Sequence, residues 1–216
     1  MEEEAINMEQ NSNLPNHTAK DLGKSFWNDQ YIAQTTGWDL GQVSPPLKAY
    51  IDQISNKNLK ILIPGCGNSY EAEYLLEQGF THVNLIDIAP ELVERLKTKF
   101  KANPNIKIIL GDFFQHEGEY DLILEQTFFC ALDPVFRKNY VVKMGSLLKS
   151  GGKIAGVLFS KIFEMAGPPF GGTKNEYQKL FENNFDFKIF DACHNSFDKR
   201  LGSEFFIVFT KTSLKA

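Results

Sequence analysis

The chain has no dense run of Lys or Arg, and its formal net charge is −4. It therefore lacks the electrostatic footprint of a protein that binds nucleic acid or an anionic membrane. No apolar stretch approaches the length of a membrane span, and the Met1-Glu-Glu-Glu opening is acidic where a secretory signal is basic and then apolar. A cytoplasmic protein without nucleic-acid or membrane partners is the expectation. Cys66, Cys130 and Cys193 show no Cys-x-x-Cys spacing and are odd in number, so they read as small buried residues of a reducing compartment. His17, His82, His116 and His194 form no pair at metal-ligand spacing, and no metal is expected. Repeats and linkers are also missing, which favours one domain.

What is present is a core-forming chain. Its 216 residues are 43% apolar and 13% aromatic, with 19 phenylalanines, enough to bury one full core. Residues 1–21 are polar and unpatterned and read as a disordered tail. From Leu22 onward, Phe26, Trp27, Tyr31 and Trp38 are followed by Leu47, Tyr50, Ile51 and Ile54 at helical spacing. This predicts an N-terminal helical lid over 22–58, whose second helix opens with Ser44 as N-cap and Pro45-Pro46 in its first turn.

Thereafter strands and helices alternate. Apolar runs at 60–64, 83–87, 106–110, 120–124 and 153–159 read as strands. The helices between them include one capped by an Asn68/Glu71 box and stopped at Gly79, and one opening at Pro90. A third starts at Asp133-Pro134 and ends at Gly151-Gly152, and a fourth lies near 174–183. Two last runs, Phe185 to Phe190 and Glu204 to Phe209, suit an antiparallel pair. The fold class is α/β: a Rossmann-like, doubly wound, seven-stranded, mostly parallel sheet with a terminal antiparallel hairpin.

The chemistry gathers at the ends of the early strands. Lys60-Ile-Leu-Ile-Pro-Gly-Cys-Gly67 is a buried strand breaking into a Gly-x-Gly turn, where Gly65 and Gly67 let a ligand approach the main chain. Asp87 closes the next strand, where a doubly wound sheet places the carboxylate that grips a ribose diol. A dinucleotide fingerprint needs a third glycine where this chain has Tyr70, so a pyrophosphate is disfavoured. S-adenosylmethionine carries a ribose and an amino acid but no phosphate, and it suits the turn, Asp87, and Gly111-Asp-Phe-Phe114 after the third strand.

Several longer motifs point further. They are Trp27, Thr36-Gly-Trp-Asp-Leu-Gly41, Ile63-Pro-Gly-Cys-Gly67, Tyr120-Asp-Leu-Ile-Leu-Glu-Gln-Thr-Phe-Phe-Cys-Ala-Leu132 and Gly167-Pro-Pro-Phe-Gly-Gly172. Through them the chain resembles the thiopurine S-methyltransferase family, and within it the halide and thiol methyltransferases. The resemblance implies S-adenosylmethionine as methyl donor and a small thiol, hydrosulfide or halide as acceptor, the alternative being a small-molecule N- or O-methyltransferase of the same fold. It further implies that Trp27 and Trp38 close over the cofactor, that Gly65, Cys66 and Gly67 surround its amino-acid end, and that Asp87 and Ile88 meet the ribose. Asp112 and Phe113 then meet the adenine, Glu125 and Gln126 stand beside the sulfonium, and Phe128, Phe170 and Tyr177 meet the acceptor. Some thiopurine-methylating members carry an arginine where this chain has Gln126, and halide or small-thiol members often have a tyrosine where it has Phe170. A monomer acting on a small molecule is the expected assembly.

Overall fold

The computed structural model describes residues 22–164 and 167–212; the tail expected over 1–21 lies outside them. The helices are α1 (Lys24–Ile32), α2 (Pro45–Ile51), α3 (Tyr70–Glu77), α4 (Pro90–Lys99), α5 (Arg137–Leu147) and α6 (Lys174–Phe181). The strands are β1 (Lys60–Pro64), β2 (His82–Asp87), β3 (Ile106–Leu110), β4 (Tyr120–Gln126), β5 (Leu148–Phe159), β6 (Phe185–Ala192) and β7 (Glu204–Lys211). They form one sheet in the order β3-β2-β1-β4-β5-β7-β6. All neighbours pair parallel except β7, which runs antiparallel to both β5 and β6.

Both faces of this sheet are covered, and the period-two alternation of a strand divides its residues between them. In β1, Ile61 and Ile63 join the core formed with Leu47 and Ile51 of α2, Ala72 and Leu75 of α3, and Leu92 and Leu96 of α4. Leu62 joins the opposite core, with Tyr140, Val141 and Met144 of α5 and Tyr177 and Phe181 of α6. Much of the phenylalanine content is spent there: Phe181, Phe185, Phe187, Phe190 and Phe209 stack in chains of ring pairs 4.5–6.0 Å apart.

Three local expectations are corrected. The helix expected from Pro134 begins as a single 3-10 turn, Pro134–Phe136, with Asp133 accepting from the Val135 N–H, and turns α-helical only at Arg137. Gly151-Gly152 does not stop that helix; it lies inside β5, where Tyr120 pairs with Leu148 and Leu122 with Lys153. The glycines absorb this bulge, Gly151 at φ +72 and Gly152 where a Cβ would stand 3.0 Å from the Tyr120 carbonyl oxygen. The capping box at Asn68/Glu71 does not form: Ser69, at φ +59, is the N-cap of α3 and makes no side-chain cap. A capping box does form at Thr173/Glu176, heading α6.

Candidate active site

The strand order reverses between β1 and β4, and in a doubly wound sheet the crevice opens at that reversal, beyond the strand C-termini. A cavity of about 1060 Å³ lies there. Each neighbouring strand adds its following segment to the wall: Gly65–Tyr70 after β1, Asp87–Ile88 after β2, Gly111–Gln115 after β3 and Gln126–Phe128 at the end of β4. The N-terminal segment covers it with Phe26, Trp27, Tyr31, Trp38 and Leu40. Edge-to-face ring contacts hold this cover together, Phe26 to Trp27 at 5.0 Å, Trp27 to Trp38 at 5.5 Å and Tyr31 to Trp38 at 5.9 Å.

The glycine turn is shaped to be bare. Gly65 sits at φ +53, and a Cβ there would meet the Phe128 ring at 2.2 Å. Gly67 sits at φ +52, and a Cβ there would stand 3.8 Å from the Tyr31 hydroxyl. Asp87 is 8% exposed, and its Oδ1 accepts from the Ala89 N–H at 3.0 Å. Burial pushes its carboxyl up to about 6, against the main-chain N–H groups of Ala89, Gly67 and Ile88, which favour the carboxylate. Asp112 is exposed to the cavity and accepts from the Phe114 N–H at 2.8 Å, while Phe113 packs edge-on to Phe128 at 5.1 Å.

The residues missing from the expected helix cap serve the cover instead. The Asn68 amide donates to Asp39, and Glu71 accepts from the Ser44 N–H at 2.9 Å. Asp39 also accepts from the Gly41 N–H at 2.7 Å. On the far side, Arg200 donates to the Trp38 carbonyl oxygen at 2.8 Å and lies against Glu204 and the Phe159 ring. Asn28 of α1 accepts from the Glu91 N–H at 2.8 Å, capping the first turn of α4.

The charge of the lining decides between cofactor classes. Among the described residues, Asp39, Glu71, Asp87, Asp112 and Asp133 face this space against the single cation Arg200. That set repels a pyrophosphate and suits a ligand carrying a sulfonium, an ammonium and a ribose diol. The sequence pattern of the thiopurine S-methyltransferase family matches residues 22–205. The chain belongs to that family. It is 32% identical over 181 residues to probable thiol methyltransferase 2 of Arabidopsis thaliana, covering 82% of this chain and 80% of that one. It is also 32% identical over 173 residues to a thiopurine S-methyltransferase of Aliivibrio fischeri, covering 72% and 81%. In fold it is similar to 1,6-didemethyltoxoflavin-N1-methyltransferase of Burkholderia thailandensis, solved with S-adenosylhomocysteine, at a TM-score of 0.68, 18% identity and coverage of 88% and 87%.

S-adenosylmethionine is the methyl donor of this methyltransferase, and the bare glycine turn, the buried Asp87 and the acidic lining fit it. Of the residues expected at the site, Trp27, Trp38, Gly65, Cys66, Gly67, Asp87, Ile88, Asp112, Phe113, Gln126 and Phe128 share the one lining. Glu125, Phe170 and Tyr177 are not in it. Glu125 is fully buried behind the wall, accepting from the Phe128 N–H at 2.7 Å, the Phe129 N–H at 3.0 Å and the Tyr140 hydroxyl at 2.5 Å, and burial pushes its carboxyl up to about 7. It braces the segment that carries Phe128. The Tyr177 hydroxyl donates to the Phe159 carbonyl oxygen at 2.9 Å inside the core. Phe170 is tied by its main chain, its N–H to the Cys130 carbonyl oxygen at 2.7 Å, so that Pro168 and Pro169 reach the cavity instead. The site residues that the sequence motifs left unassigned are Tyr31, Asp39 and Asn68. Asp39 stands inside the Thr36–Gly41 motif, which was the available signal.

Proposed function

We propose that this methyltransferase acts on a small thiol that binds as its thiolate. The observation that carries the reading is the absence, among the described cavity residues, of a group placed to act as a base. Lys and His do not occur in the lining, and each of its five carboxylates accepts a main-chain N–H, a bond that favours the ionised form and so opposes its taking up a proton. An amine or hydroxyl acceptor has to lose a proton during transfer and calls for such a base. A thiolate reaches the site already anionic, as a halide does.

When bound, S-adenosylmethionine supplies an electrophilic methyl, so that the acceptor's sulfur–carbon bond forms as the sulfonium's carbon–sulfur bond breaks and its electron pair remains with S-adenosylhomocysteine. The protein's own part is alignment and exclusion of water. Gly65 and Gly67 expose main chain at the amino-acid end, Asp87 accepts from the ribose hydroxyls, Asp112 with Phe113 borders the adenine, and Trp27 and Trp38 shield the top. Phe114, Phe128, Leu132, Phe136, Pro168 and Pro169 give the remaining wall an apolar character, which strips water from the sulfur nucleophile.

The test is methyl transfer from labelled S-adenosylmethionine to hydrosulfide, aliphatic thiols, aromatic thiols, thiopurine and iodide, read as methylated product and S-adenosylhomocysteine. Turnover with a thiol supports the reading; turnover confined to amine or hydroxyl acceptors overturns it. The reading extends to a cytoplasmic monomer without nucleic-acid or membrane partners, supported by the net charge of −4 and the lack of a basic run. Light scattering of the purified protein at micromolar concentration is expected to give a mass near 24.5 kDa.

A further inference from the structure

We infer that Arg137 is a positioning residue for the acceptor: its guanidinium fixes the segment 167–172, which brings Pro168 and Pro169 to the cavity wall. This rests on the thiol reading above. The residues proposed to hold the donor follow β1, β2 and β3, whereas Pro168 and Pro169 follow β5, on the other side of the reversal point. The two prolines therefore face the part of the cavity that the donor leaves to its partner. Arg137 itself is not in the lining, so it acts on the acceptor through them.

The segment Gly167-Pro-Pro-Phe-Gly-Gly172 has no polar side chain with which to anchor itself. Main-chain bonds must hold it. The Phe170 N–H donates to the Cys130 carbonyl oxygen at 2.7 Å. From the other direction, Arg137 Nη2 donates to the Gly171 carbonyl oxygen at 2.9 Å and to that of Phe170 at 3.4 Å. Among the described residues, Arg137 is the one side chain that hydrogen-bonds the main chain of this segment, and bonds from a charged donor are among the stronger kinds. At Gly171 the loop passes so close to the Lys161 carbonyl oxygen that a Cβ would stand 1.7 Å from it. The guanidinium is itself held on both sides, its central carbon 5.0 Å from the Phe129 ring centre and 5.6 Å from that of Tyr177. Phe129 belongs to the turn that follows Phe128, so one side chain at the start of α5 ties together the two walls on the acceptor's side. Arg137 makes no ion pair among the described residues, which leaves its donors for the loop carbonyls. Its Nε is buried without a partner, a cost in stability that a residue serving only the core would not carry. Lysine, a point charge on a thinner stem, cannot fill the space between the two rings while reaching both carbonyls.

The experiment compares wild type with Arg137→Met and Arg137→Lys. It measures methyl transfer from S-adenosylmethionine to hydrosulfide, ethanethiol and thiophenol, with donor affinity read by calorimetry and loop protection by hydrogen exchange. A wide acceptor leans on the proline wall and a narrow one does not. Both variants are expected to bind S-adenosylmethionine with wild-type affinity. The ratio of kcat/KM between the largest and the smallest acceptor that wild type turns over should fall roughly 10–100-fold in the Met variant. It should fall less in the Lys variant, which keeps a charged donor. Exchange at the Phe170, Gly171 and Gly172 amides should quicken in the Met variant while β1 and β2 stay protected. A loss of folded protein lowers transfer to every acceptor alike and leaves the ratio where it was. An unchanged ratio in both variants therefore overturns the inference while thiol methylation stands. Donor affinity lost in both variants together with all transfer also overturns it, making Arg137 a stability residue of the α5 and α6 layer. Wild type inert toward every thiol removes the thiol reading itself, and the inference falls with it.

Discussion

Asp87, which we propose holds the ribose, is kept at a cost to the empty protein. Its carboxyl is raised from 3.8 to about 6 by burial, so between those values the native state holds a proton that the unfolded state has released. Stability then falls as pH rises through this window, by roughly 3 kcal/mol in total at about 1.4 kcal/mol per unit. Asp87→Asn removes that penalty: thermal unfolding at pH 8 is expected to rise, while calorimetry shows S-adenosylmethionine binding at least 10-fold weaker. In wild type the affinity should decline as pH drops below 6, because the ribose hydroxyls need the ionised acceptor. Glu125 follows the same sign, raised from 4.5 to about 7, but its role is to brace. Glu125→Ala orphans two main-chain N–H groups and the Tyr140 hydroxyl, and denaturant titration should find it about 3 kcal/mol less stable. Residue roles of this kind were half legible. Gly65, Gly67 and Asp87 are marked by backbone need and strand-end position, whereas nothing in the local string separates a carboxylate facing the cavity, such as Asp112, from one buried behind its wall, such as Glu125. Only the fold decides which way the end of β4 turns, and there the Phe128 and Phe129 N–H groups and the Tyr140 hydroxyl come to meet Glu125 inside the core.

At the scale of elements, the cover and the helix behind it share their polar groups. Asn68 and Glu71 have the spacing of a helix cap, yet they hold Asp39 and the Ser44 N–H. In return, Asn28 of α1 caps α4. A capping box forms at Thr173, which the sequence analysis does not single out, whereas the signature at Asn68 misleads because a tertiary partner wins. The same limit applies to Gly151-Gly152, which carry the composition of a helix stop but lie in a bulge that depends on pairing with β4. Asp39→Ala is expected to loosen the cover without touching either core. Its donor affinity should fall about 10-fold, read by fluorescence of Trp27 and Trp38, while its melting temperature shifts by no more than about 2 °C. A melting temperature that collapses together with affinity would instead make the segment part of the core.

Across the whole molecule the alternation of strands and helices is legible because it follows from burying both faces of a parallel sheet. The placement of β7 between β5 and β6 is less so, since a short connection marks only that the last two strands are neighbours. The cavity draws its walls from the N-terminal segment, four strand ends and the loop before β7. Its ligand therefore ties together parts far apart in sequence. Saturating S-adenosylmethionine at about 100 times its Kd should add about 2.7 kcal/mol. Hydrogen exchange is expected to slow over residues 22–44 and at 65–70, with β6 unaffected.

The position of β7 also bears on how the protein is made. Ribosomes release β6 before β7, yet β6 is seated outside it and has no other strand to pair with. Until residues 204–211 emerge, the nascent chain carries β5 as an open parallel edge and β6 as an unattached apolar ribbon, both prone to sticking to other chains. Completion of the sheet is therefore deferred until Glu204–Lys211 has emerged, and a chain halted before Glu204 is expected to bind chaperones longer than one halted after Lys211, which a pull-down of stalled nascent chains would read.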